Sequence, residues 1–123
     1  QIMKFLFACL IAACPVAALA DDSIWPGDYA GDCGNKLQCI VEITETGERI
    51  DVALIVANRV NFDDVKCRLD GTFSRTAMLG ISGKLRGAND VVIVRKRDGV
   101  EISGIPKKVC GTSLNKKYEM FGD

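Results

Sequence analysis

The chain has 123 residues, with 16 basic and 16 acidic side chains, six cysteines and no histidine. A near-neutral chain without a charge block has no electrostatic footprint for nucleic acid, and a chain this short builds one domain. Lacking histidine, it cannot assemble a Ser-His-Asp or Cys-His catalytic set.

Residues 1–20 read as a cleaved signal peptide. Met3 is the expected initiator, Lys4 the positive n-region, residues 5–13 the apolar h-region, and Ala18-Leu19-Ala20 the small-x-small cleavage site before Asp21. The apolar stretch is short for a membrane span, and Asp21 and Asp22 follow it in place of a basic stop-transfer flank. Ile11-Ala12-Ala13-Cys14 has the form of a lipobox, so lipidation at Cys14 and outer-membrane anchoring form the rival to free export. The expected location is periplasmic or secreted, with residues 21–123 as a single β domain.

Removing the signal peptide leaves Cys33, Cys39, Cys67 and Cys110. In an exported chain of this size, four cysteines read as two disulfides, and the expected pairing is Cys33–Cys39 and Cys67–Cys110. Zinc is the competing use, but paired C-x₂₋₄-C spacings and histidine are both missing.

Short strands separated by turn signals follow in order. Cys39, Val41 and Ile43 alternate with Ile40, Glu42 and Thr44 up to a turn at Thr46-Gly47. Ile50, Val52, Leu54 and Val56 form the return strand, which is apolar on both faces. Residues 58–65, rich in Asn and Asp, predict a loop or one helical turn. Cys67 and Leu69 begin a strand expected to stop at Asp70-Gly71. Ala77, Leu79 and Ile81 mark the next strand, with room to continue through Gly83 to Leu85, Gly83 marking a bulge or close approach, and residues 87–90 a turn. Residues 91–94 are an apolar run, followed by the strongest hairpin signal, Asp98-Gly99. Val100 and Ile102 return to Pro106, and residues 118–121 form a last strand that closes the sheet. The fold expected is all-β, a small antiparallel barrel or flattened sandwich of seven to eight strands stapled by disulfides.

Few residues offer chemistry. Asp63-Asp64 and Asp21-Asp22 are ordinary solvated carboxylates without the spacing of a calcium loop. Asp28 and Asp32 flank Tyr29 but form no convincing acid–base pair. Gly31-Asp32-Cys33-Gly34 lacks the basic residue and helix start of a phosphate loop. Neither an enzyme, a cofactor nor a metal is expected. Trp25 is expected to plug one barrel end, and Arg95-Lys96-Arg97 forms a basic cluster at a hairpin tip.

Two Ser-Gly pairs are each followed by a lysine: Ser82-Gly83 with Lys96, and Ser103-Gly104 with Lys117. In compartment, size and pattern the chain resembles the periplasmic and membrane-bound inhibitors of C-type lysozyme. That resemblance implies a loop-borne serine and a lysine reaching the two carboxyl groups of the enzyme's cleft. Ser82, Gly83 and Lys96 are the first choice, since a hairpin at Asp98-Gly99 would present the basic cluster; Ser103 and Lys117 are the second. The function expected is a non-enzymatic envelope protein acting by protein–protein contact. A small-molecule or lipid carrier is the alternative, disfavoured by long inward side chains at Leu54, Leu79, Ile81 and Ile102. A structural envelope protein with no ligand is the third.

Overall fold

A computed structural model describes residues 23–121. The expected signal peptide and Cys14 lie outside the described residues. Among the described residues, eight strands run in chain order: β1 (Gly27–Asp32), β2 (Leu37–Thr46), β3 (Arg49–Asn58), β4 (Val65–Ala77), β5 (Gly80–Leu85), β6 (Ala88–Lys96), β7 (Gly99–Ser103) and β8 (Lys117–Met120). Each pairs antiparallel with the next, and β8 returns to β1, closing a barrel. Among the described residues the one helical element, the 3-10 turn η1 (Lys107–Val109), lies between β7 and β8. Among the described residues no helix is long and apolar enough to cross a membrane.

Period-two alternation makes this closure possible. Val41, Ile43, Ile50, Val52, Leu54, Ile81, Ile93 and Ile102 point inward and are buried, together with Phe73, Tyr29 and Tyr118. The interior is filled by side chains. Ala53, Ile55 and Ala57 on the outer side of β3 are buried as well, so this strand is covered on both faces as expected.

Both ends are capped. At one, Trp25 is buried, and its carbonyl accepts the Tyr29 hydroxyl at 2.9 Å. At the other, the connection 104–116 folds back on the barrel and buries Ile105 and Leu114. The Asn115 side chain pairs with both backbone groups of Ile105 at 2.9 Å, and Tyr118 donates to the Leu114 carbonyl at 2.7 Å. Both expected disulfides sit at this second end, with Cα separations of 5.7 Å for Cys33–Cys39 and 5.8 Å for Cys67–Cys110.

The structure corrects several boundaries. Thr46 pairs with Arg49 and Lys96 with Gly99, so the turns are Gly47-Glu48 and Arg97-Asp98. The strand expected to stop at Asp70-Gly71 runs on to Ala77. Here glycine marks a close approach between strands and not a turn. A Cβ on Gly71 would lie 1.9 Å from the Lys84 carbonyl oxygen, and one on Gly99 would lie 1.9 Å from that of Tyr118. The strand expected through Ala77, Leu79 and Ile81 is instead a reversal at Met78-Leu79, where Ala77 pairs with Gly80. Leu79 is half-exposed and does not point inward. The next turn falls at Arg86-Gly87, one step earlier than expected, and Ala88 already belongs to β6. The loop at 58–65 is present. The Asn58 side chain accepts the amides of Val60 and Asn61 at 2.8 and 2.9 Å, which turns the chain out of the ladder.

Candidate functional site

The residues of both Ser-Gly-Lys sets come together on one outer wall of the barrel, β5 to β8. Ser82 pairs with Val92, and Val92 pairs with Ser103, so the two serines flank one valine in a single row. All three face outward, with Val92 38% exposed and Ser82 half-buried. Sequence spacing could not show this, because the row exists only once both registers are set.

Local backbone differs between the two serines. Ser82-Gly83 lies inside β5 and not on a loop. Gly83 faces the core, where a Cβ would meet the Phe73 ring at 2.9 Å. Ser103 ends β7, and Gly104 opens the connection 104–116 with φ of 95°. Of the two pairs, the second is the one that borders a loop.

The lysines differ in reach. Lys96 ends β6, four residues beyond Val92, or roughly 13 Å at about 3.3 Å per residue. Lys117 pairs across from Glu101, two residues before Ser103, which places it one diagonal step from Ser103, at roughly 7–8 Å. Each lysine has a carboxylate partner: Lys96 Nζ lies 3.4 Å from Glu101, and Lys117 Nζ lies 2.8 Å from Asp98. The hydrogen bond from Lys117 holds the Asp98 carboxyl below its ordinary range. Asp98 in turn holds the Lys117 ammonium above its own.

The basic cluster at residues 95–97 does not act as a unit. Lys96 carries the pair just described, and Arg97 stands in the turn. Arg95 is a structural clamp: its guanidinium sits 5.9 Å over the Tyr29 ring and donates to the carbonyls of Ile24 at 2.9 Å, Gly99 at 2.7 Å and Lys96. It ties the entering chain to the β6–β7 turn. The sequence carried no signal for this role, since three adjacent cations look alike until the pleat separates them.

The remaining acidic candidates serve the scaffold. Asp32 accepts the Gly34 amide at 2.7 Å and Arg59 at 2.5 Å, and both lower its pKa, the backbone amide most. Asp64 pairs with Lys66 at 3.0 Å. Among the described residues, no group of three or more Cys, Asp or Glu side chains is arranged to hold a metal ion.

Comparison with family models, with curated proteins and with solved structures gives no match. What the geometry defines is a class of build: an eight-stranded antiparallel barrel, filled by its own side chains and stapled by two disulfides at one end.

Proposed function

We propose that this protein is an exported, non-enzymatic envelope protein that acts by protein–protein contact through the outer wall of β5 to β8, with a C-type lysozyme as its partner. The observation that carries the proposal is the joining of Ser82, Ser103, Lys96 and Lys117 on one wall. A filled interior supports a surface role over a carrier role, because a carried ligand would have to displace Leu54, Phe73, Ile81 and Ile102.

Geometry ranks the two pairs. In retaining glycosidases the cleft carboxyls stand about 5–5.5 Å apart. A serine hydroxyl and an ammonium that begin one diagonal step apart suit that separation, and the lysine stem takes up the difference. The Ser82–Lys96 pair starts roughly twice as far apart on the strand rise of about 3.3 Å per residue. Ser103 and Lys117 are therefore the principal contacts, and Ser82 and Lys96 lie in the surrounding rim.

The test is a turbidity assay of lysozyme action on bacterial cells, with the oxidised protein as inhibitor. Inhibition should be saturable, and Ser103→Ala or Lys117→Met should weaken it about tenfold or more, the loss expected at the centre of an interface. Ser82→Ala and Lys96→Met should weaken it less. Absence of inhibition at micromolar protein overturns the proposal. Inhibition that ignores all four substitutions overturns the assignment to this wall.

A further inference from the structure

Cations are gathered at the disulfide end of the barrel, on residues other than the serines and lysines of the contact just described. Lys66 and Arg68 of β4, Arg86 of the β5–β6 turn and Lys108 of η1 line a concavity of about 590 Å³ with no carboxylate in its lining. Three separate elements thus converge on one space. The Cys67–Cys110 disulfide holds η1 against β4. Gly87 lies so close to Val109 that a Cβ on it would meet the valine methyls at 3.3 Å, which sets the β5–β6 turn against η1. The amides of Val109 and Gly111 donate to Pro106 and Lys107 at 3.1 and 2.9 Å and fix the turn that carries Lys108.

The charges in this space are only half compensated. Lys66 pairs with Asp64 at 3.0 Å, and Arg68 with Asp70 at 3.2 Å. Among the described residues, Arg86 and Lys108 have no carboxylate partner. The connection 104–116 holds Lys107, Lys108 and Lys116 and no acidic residue, in a chain that is neutral as a whole. Like charges held together on a braced surface repel one another unless an anion lies between them.

We propose that this concavity binds a phosphate group, with Arg86 and Lys108 in direct contact and Lys66 and Arg68 contributing to the field around it. A tetrahedral dianion presents oxygens to cations arriving from three directions, whereas a carboxylate presents two oxygens in one plane. The guanidinium of Arg86 can take two oxygens side by side, and Lys108 acts as a point charge. Free phosphate and a phosphorylated lipid headgroup share this chemistry. The site has no residue in common with the protein-contact wall and does not depend on it.

The experiment titrates isotope-labelled oxidised protein with inorganic phosphate at low ionic strength and follows backbone amide resonances. Sodium chloride at matched ionic strength is the reference. Saturable shifts are expected at Arg86, Gly87, Lys108 and Val109. The Arg86→Ala, Lys108→Ala double variant should weaken binding tenfold or more, and Arg97→Ala, in the turn at the opposite end, should leave it unchanged. A parallel flotation assay uses phosphatidylcholine vesicles with and without phosphatidic acid. Phosphatidic-acid-dependent flotation lost in the double variant identifies a headgroup site; phosphate shifts without flotation identify a site for the free ion. Shifts reproduced by chloride, or undiminished in the double variant, overturn the proposal.

Discussion

Tyr118 shows how one side chain connects closure to solution behaviour. Its ring is fully buried, and its hydroxyl donates to the Leu114 carbonyl, joining β8 to the end-capping connection. Burial pushes the phenol pKa well above its ordinary value of 10.0, and burial raises that of Tyr29 too. A folded-state pKa above the unfolded one contributes stability that is fully present below pH 10 and is lost as the pH rises through the folded value. Ultraviolet titration should therefore show both tyrosines resisting ionisation in the folded protein and titrating near 10 in denaturant. Tyr118→Phe should cost about 1 kcal/mol at neutral pH, the worth of one hydrogen bond, and make the alkaline unfolding limb shallower. An unchanged limb would show that Tyr118 is not one of the groups driving it. The closing strand that carries Tyr118 was legible; the bond from Tyr118 to Leu114 was not, because it depends on where an irregular connection lands.

Among elements, those with clear alternation and a marked turn were the most legible: β2, β3 and β7 lie close to where their apolar periodicity puts them. The reversal at Met78-Leu79 was not legible. Ala77, Leu79 and Ile81 alternate in sequence whether the chain continues or doubles back, and neither Met78 nor Leu79 is a turn-former. Pairing of Ser74 with Ser82 and Ala77 with Gly80 decides the matter, and that pairing is tertiary. The same limit hid the choice between the two Ser-Gly pairs, since only register shows that Lys117 lies one diagonal step from Ser103. The connection 104–116 is long and irregular and depends on its bridge to β4. Cys67 and Cys110 stand 43 residues apart, and on the chain-entropy account their link is worth about 4 kcal/mol. The Cys67→Ala, Cys110→Ala double variant should lose most of that in urea unfolding. Its amide protection should fall first at Ile105 and Leu114. The Cys33–Cys39 link closes a loop with a separation of only 6 and should be worth about 2 kcal/mol. A larger loss from removing the short bridge would contradict the entropic account for this fold.

At the scale of the whole molecule, closure is uneven. β2 and β3 pair along all ten residues of each strand, whereas β8 meets β1 only at Tyr29–Met120 and Ala30–Glu119. One further bond closes the seam, from Phe121 to the Asp28 carbonyl at 3.0 Å, while on its other side β8 is held by Met120 donating to the Asp98 carbonyl at 2.9 Å. Local opening should begin there, at a free energy well below that of global unfolding. Hydrogen exchange should find the β8 amides least protected and those of β2 and β3 most. Met120→Pro removes the donor to Asp98 and cannot continue the ladder, so it should release β8 and leave β1 and β7 as open edges. Light scattering should then report concentration-dependent association, while β2 and β3 keep their protection. Equal protection of β2 and β8, or a proline variant that stays monomeric, would show that the seam is not the weak point. The barrel's two disulfides lie at the end away from Met120, so they brace the end capped by the connection 104–116 and leave β8 to hold the seam by hydrogen bonds and the packing of Tyr118.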